Sequence, residues 1–163
     1  MKRRKIMKSL GAGILGSTLA TPSRAAGSDF RLRYILSSAM YGEMPLESIL
    51  PEVLGAGCEA IDIWCRVHGN QREQIEFMGN VAARKMFEKH RVKPAVFTRY
   101  PLGPFGLREE MKKVKESFGA EIVVCGSTGP SGPSGKEAKA AVKGFLEKMK
   151  PHVARAEETG ITI

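Results

Sequence analysis

Two segments of the 163-residue sequence concentrate side chains able to handle a small polar ligand. The first is Trp64-Cys65-Arg66-Val67-His68-Gly69-Asn70-Gln71-Arg72-Glu73, and the second is Thr98-Arg99-Tyr100-Pro101-Leu102-Gly103-Pro104-Phe105-Gly106-Leu107. An indole offers a flat apolar surface to the C–H face of a sugar, while imidazole, guanidinium and amide groups hydrogen-bond hydroxyls. Trp64, His68, Asn70 and Arg99 are the candidate substrate-binding residues on that chemistry. Asp62 lies two residues before Trp64 and shares its face on an extended chain, opposite Ile61 and Ile63. A carboxylate there needs a partner, in a structural hydrogen bond or a functional one.

Other patterns carry less chemistry than their letters suggest. Gly11-Ala12-Gly13-Ile14-Leu15-Gly16 spells the dinucleotide fingerprint, but no strand precedes it and no βαβ unit surrounds it. The run from Gly126 to Lys136 is rich in Gly, Ser and Pro, yet it fails the phosphate-loop pattern. That pattern needs four residues between its glycines and Ser or Thr after Lys; Gly129 and Gly135 enclose five, and Glu137 follows Lys136. It reads as a flexible loop after a strand. Cys58, Cys65 and Cys125 lack zinc spacing. An extended chain between the first two holds them roughly 20 Å apart, beyond disulfide reach, so free thiols are expected. His90 and His152 fall in helical stretches and read as surface or packing residues. No metal ligand set is identified in these residues.

The elements that must position the two segments follow from hydrophobic period. Arg31 to Tyr41 reads as a strand, then a helix carries Leu46, Ile49, Leu50, Val53 and Leu54 on one face and ends at Gly55 and Gly57. Ala60 to Trp64 is the second strand. Gln71 to Arg91 is helical with Ile75, Met78, Ala82 and Met86 in register, broken at Gly79-Asn80. Lys93 to Tyr100 is the third strand, and Leu107, Met111, Val114 and Phe118 stripe the next helix, which Gly119 closes. Ile122 to Cys125 is a buried fourth strand. A last helix from Lys136 to Glu158 carries Ala138, Ala141, Val142, Phe145, Met149, Val153 and Ala156, with Pro151 expected to kink it. Ile161-Thr162-Ile163 begins a fifth strand.

Four strand–helix units plus a fifth strand define an α/β protein with a parallel sheet. A (β/α)8 barrel takes about 250 residues, and Ala26 to Ile163 supplies 138. A doubly wound sheet would fit the length better, but nothing follows the fifth strand to cover it. The expectation is the N-terminal half of a (β/α)8 TIM barrel, a truncated sequence with residues 26–163 as its partial domain.

Residues 1–25 have the layout of a secretory signal: a basic start, apolar Leu10 to Ala20, and small Ser23 and Ala25 before a cut. Arg3-Arg4-Lys5-Ile6-Met7-Lys8 resembles the twin-arginine export motif, which implies a periplasmic protein. Eleven apolar residues fall short of the ~20 a spanning helix needs, so no permanent membrane anchor is expected. This segment also holds the excess charge. Six of its residues are basic, and without them the formal charge falls from +9 to +3. Thereafter Lys and Arg are interleaved with Glu, as in Arg108-Glu109-Glu110-Met111-Lys112-Lys113, so no nucleic-acid partner is expected.

The two ligand-handling segments together resemble the sugar phosphate isomerase/epimerase family, the xylose isomerase-like TIM barrels. The similarity is to exported members with D-I-W, V-H-G-N-Q-R-E-Q, T-R-Y and L-G-P-F-G-L at these spacings, and runs from about Arg33 to Ile163. It takes in Lys150-Pro151-His152-Val153 and Ala156 to Ile163. The resemblance implies proton transfer beside the carbonyl of a sugar or sugar phosphate, with a divalent metal (Mn, Mg or Zn) polarising its oxygens. It also implies that the metal ligands and catalytic carboxylates follow Ile163, so that this chain alone is inactive. The present residues would supply the pocket wall, with His68 and Arg99 as hydrogen-bond donors and Trp64 as a stacking surface. Alternatives are a keto-sugar lyase or dehydratase, an endonuclease-IV-like enzyme of the same fold, which the weak mature charge disfavours, and a non-catalytic carbohydrate-binding remnant.

Overall fold

Runs of alternating period fold as their period dictates in the computed structural model, which describes residues 32–163. The strands are β1 (Ile35–Ser37), β2 (Ala60–Trp64), β3 (Lys93–Thr98) and β4 (Ile122–Val124). Helices α1 (Leu46–Gly55), α2 (Gln71–Met78), α3 (Asn80–His90), α4 (Leu107–Phe118) and α5 (Gly135–Thr159) fill the connections. The strands make one parallel sheet in the order β1-β2-β3-β4. On the β4 edge, the Thr162 N–H donates to the Glu121 carbonyl and the Val123 N–H donates to the Thr162 carbonyl. A further parallel strand therefore starts where the sequence places its fifth.

One face of the sheet carries the main core. Leu36, Ile61, Ile63, Phe97 and Val123 are buried against Ile49, Leu50 and Val53 of α1, Ala83 and Phe87 of α3, and Leu107, Met111 and Val114 of α4. The helix-layer side chains are large, and their removal from water supplies most of the driving force. The opposite, inner face is lined low down by the smaller cluster of Ala60, Ala95, Val96, Ile122 and Val124.

Between β2 and β3 the register slips by one residue: Ile61 lies opposite Pro94, but Asp62 lies opposite Val96. Ala95 is the extra residue, and the slip brings Thr98 opposite Trp64. Such a bulge re-aims the side chains beyond it, here those at the C-terminal end of the sheet.

Several boundaries differ from expectation for local reasons. The first strand stops at Ser37 and the chain turns through a 3-10 helix, Ser38–Tyr41, which faces β2. The break at Gly79, φ 84° and ψ 149°, a conformation open to Gly, resets the helical phase. The buried face of α3 is therefore Ala83 and Phe87, while Ala82 is exposed and Met86 half-buried. Leu54 is also exposed rather than on the core face of α1. Strand β3 ends at Thr98, because Tyr100 enters a second 3-10 turn, Tyr100–Leu102. Helix α5 runs through Pro151 as one element, and His152 is its one buried residue. Val142 and Val153, expected on the core face, are exposed by 59% and 45%, and Leu146 by 58%.

The leader read at 1–25, the Gly11–Gly16 pattern and the strand start at Arg31 lie outside the described residues. Among the described residues, no helix is long and apolar enough to cross a membrane.

Candidate functional site

Parallel strands deliver all their C-terminal ends to one rim, and both ligand-handling segments begin there. Trp64 closes β2 and Thr98 closes β3. The β4 loop joins them: a Cβ on Gly126 would lie 3.4 Å from Tyr100 Cδ1 and 3.7 Å from the Tyr100 carbonyl oxygen. The backbone at His68, Arg99 and the Gly126 loop thus shares one rim.

On the inner face, Asp62 and Trp64 project together because they are two apart on a strand. The indole N–H of Trp64 donates to Asp62 Oδ2 at 2.6 Å. Thr98 Oγ1 lies 2.9 Å and 3.0 Å from the two carboxylate oxygens and donates to them. The partner that Asp62 required is therefore a pair of neighbours on its own and the adjacent strand. Burial pushes the Asp62 carboxyl above its ordinary value, against the lowering effect of the Thr98 and Trp64 hydrogen bonds. From behind, the Trp64 backbone N–H donates to Ser38 Oγ at 2.9 Å, which ties the 3-10 turn after β1 to the end of β2.

Two rings stand edge-on to the fixed indole. His68 lies 5.6 Å from Trp64 with an interplanar angle of 82°, and Tyr100 lies 5.3 Å away at 71°. Both are within the range of favourable edge-to-face contact. His68 is exposed, Trp64 half-buried and Tyr100 45% exposed, so the trio forms a wall open to solvent. Tyr100, in the second ligand-handling segment, completes the wall although its letter alone carries no role. Its distance of two residues from Thr98 was the available signal.

Arg99 and Asn70 are placed elsewhere. With Thr98 turned to the inner face, Arg99 turns to the helix layer, its Nε 3.7 Å from Glu110 and its Nη2 4.0 Å from Glu76. Glu110 is held in turn by Arg72, a wholly buried guanidinium that donates through Nε at 2.8 Å and Nη2 at 3.1 Å. Arg72 also lies 5.8 Å from the Phe97 ring centre. Arg99 thus lies beside an ion network between α2, β3 and α4. Asn70 accepts a hydrogen bond from Gln74 Nε2 at 2.6 Å, and Gln74 caps the Leu46 N–H at 2.7 Å and donates to the Met44 carbonyl. Asn70 belongs to the joint between α1 and α2 through its carbonyl oxygen.

The three thiols are free, and burial raises those of Cys65 and Cys125. Among the described residues, no three His, Cys, Asp or Glu side chains converge as metal ligands. A single carboxylate, Asp62, does not supply the several ligands that a divalent cation needs.

No family model and no curated protein matches the sequence. Solved structures do. The IolI protein, solved at 1.8 Å with a bound zinc atom, superposes with a TM-score of 0.58 over 80% of this chain and 49% of its own, at 15% identity. The four βα units have the fold of about half a TIM barrel. Protein SMc04130 from Sinorhizobium meliloti 1021 agrees, with a TM-score of 0.55 over 78% of this chain and 47% of its own, at 20% identity. The chain spans about half the length of these structures, and the likeness is one of fold.

Proposed function

We propose that this chain forms the ligand-binding wall of a metal-dependent sugar or sugar phosphate isomerase/epimerase acting by proton transfer next to a carbonyl. The observation that carries the reading is the aromatic wall of Trp64, His68 and Tyr100 on the C-terminal rim, where TIM-barrel enzymes bind their ligands. Aromatic rings take the C–H face of a sugar, and the neighbouring imidazole and phenol groups reach its hydroxyls. The likeness to IolI supports the choice of barrel, and the motif resemblance supports the choice of reaction.

In this reading the metal and the proton-transferring carboxylates come from residues other than those described. What these residues do is orient the sugar and shield one side of it from water. The twin-arginine-like start supports export to the periplasm, and the partner is a small sugar rather than a nucleic acid. A keto-sugar lyase or dehydratase would use the same wall.

The test is to incubate the whole gene product with aldose and ketose substrates in deuterated water, with Mn2+, Mg2+ or Zn2+ supplied. Deuterium appearing at the carbon beside the carbonyl, read by NMR, is the expected result. Loss of water from the sugar without exchange would favour the dehydratase, and no turnover with any sugar would overturn the enzymatic reading.

A further inference from the structure

Phosphate esters are held in proteins by arginine and lysine side chains, which match their charge and geometry. The arginines that follow β2 and β3 are positioned to do this by sequence, but each has a carboxylate beside it that offsets its charge. Arg72 is wholly buried and bidentate to Glu110. Arg99 stands between Glu110 and Glu76, and Arg66 Nε lies 3.6 Å from Glu43. The charged group beside the aromatic wall is instead a carboxylate, Asp62, fixed 2.6 Å from the indole nitrogen.

Resting on the sugar-binding reading above, we propose that this wall selects an uncharged, non-phosphorylated part of a sugar. Trp64 and Tyr100 meet the apolar C–H face of the ring. His68, exposed at the rim, meets a hydroxyl. The Asp62 carboxylate keeps the indole in place and, being negative, repels a phosphate brought against the wall. A charged substituent on the same sugar must point away from this half of the rim.

The chain's single tryptophan reports the event directly. Emission of Trp64 is titrated with D-glucose and with D-glucose 6-phosphate at equal ionic strength. Glucose is expected to change the emission saturably, and the phosphate ester to require about tenfold more. Tyr100→Ala should weaken the glucose response severalfold and Tyr100→Phe, which keeps the ring and loses only the phenol hydroxyl, should weaken it less, with circular dichroism confirming that both variants fold. An ester that binds as tightly as glucose, or tighter, overturns the selectivity while leaving the sugar-binding reading intact. No saturable response to either compound overturns both.

Discussion

Trp64 and Asp62 hold each other on one face of β2, with the indole N–H 2.6 Å from the carboxylate oxygen and Thr98 closing on the same carboxylate from β3. A tryptophan whose nitrogen is anchored presents its ring in one orientation. The one-residue slip between β2 and β3 makes this possible, because it brings Thr98 opposite Trp64. The aromatic wall therefore depends on a backbone irregularity one layer below it.

Fluorescence should follow the protonation of Asp62. Burial raises its carboxyl, so the folded state holds that proton more tightly than the unfolded chain does. This group's contribution to stability accordingly falls as pH climbs from the ordinary carboxylate value through the raised one. As pH drops through the raised value, the indole loses a charged acceptor and the Trp64 emission should shift. Asp62→Asn should remove that titration, and an identical titration in the variant would show that another group is responsible.

The buried Arg72–Glu110 pair should behave as a buried charge pair does when one member is lost. Glu110→Ala leaves a wholly buried guanidinium without its bidentate partner and should cost about 3 kcal/mol in urea unfolding. Replacing both residues by apolar ones of similar size should recover most of that loss. Equal destabilisation in the single and double variants would contradict this account of the pair.

His68 and Arg99 should separate by readout. His68→Ala removes one ring from the open wall and should weaken sugar binding by about 1 kcal/mol, with little change in the thermal midpoint. Arg99→Ala should lower the midpoint and leave the affinity nearly unchanged, because its guanidinium faces Glu110 and Glu76. Calorimetric binding and melting of both variants decide it, and a loss of affinity in Arg99→Ala at unchanged stability would restore Arg99 to the site.

Export is expected to remove residues 1–25. Mass spectrometry of protein recovered from the periplasm should show Ala26 first, because Ser23 and Ala25 present small side chains to the protease. Exported protein that still begins at Met1 would contradict the leader reading.

The parallel sheet was legible because its helix-facing residues are large and its helices amphipathic. Ile61 and Ile63 against Ile49, Leu50 and Val53 is a contact that period alone foretells. Period also foretold that Asp62 and Trp64 share a face. The carboxylates beside Arg99 were not legible, since nothing at the end of β3 shows that the pair Arg72–Glu110 lies next to it. A faint signal existed: Glu110 falls three residues after Leu107, on the edge of the buried stripe, and Arg72 falls three before Ile75. A charged residue on an apolar stripe implies a buried partner. The slip at Ala95 was not legible, because period fixes the face a residue takes on its own strand and not the residue it meets on the neighbouring one.

The most direct test of the sugar-binding wall is the indole N–H resonance of Trp64 in 15N-labelled protein, a single peak in a chain with one tryptophan. Addition of D-glucose should move that peak saturably, with Tyr100 and His68 backbone amides moving alongside it and those of α3 staying still. An indole resonance unmoved at saturating sugar, or shifts confined to the helix layer, would contradict the wall as the site of binding.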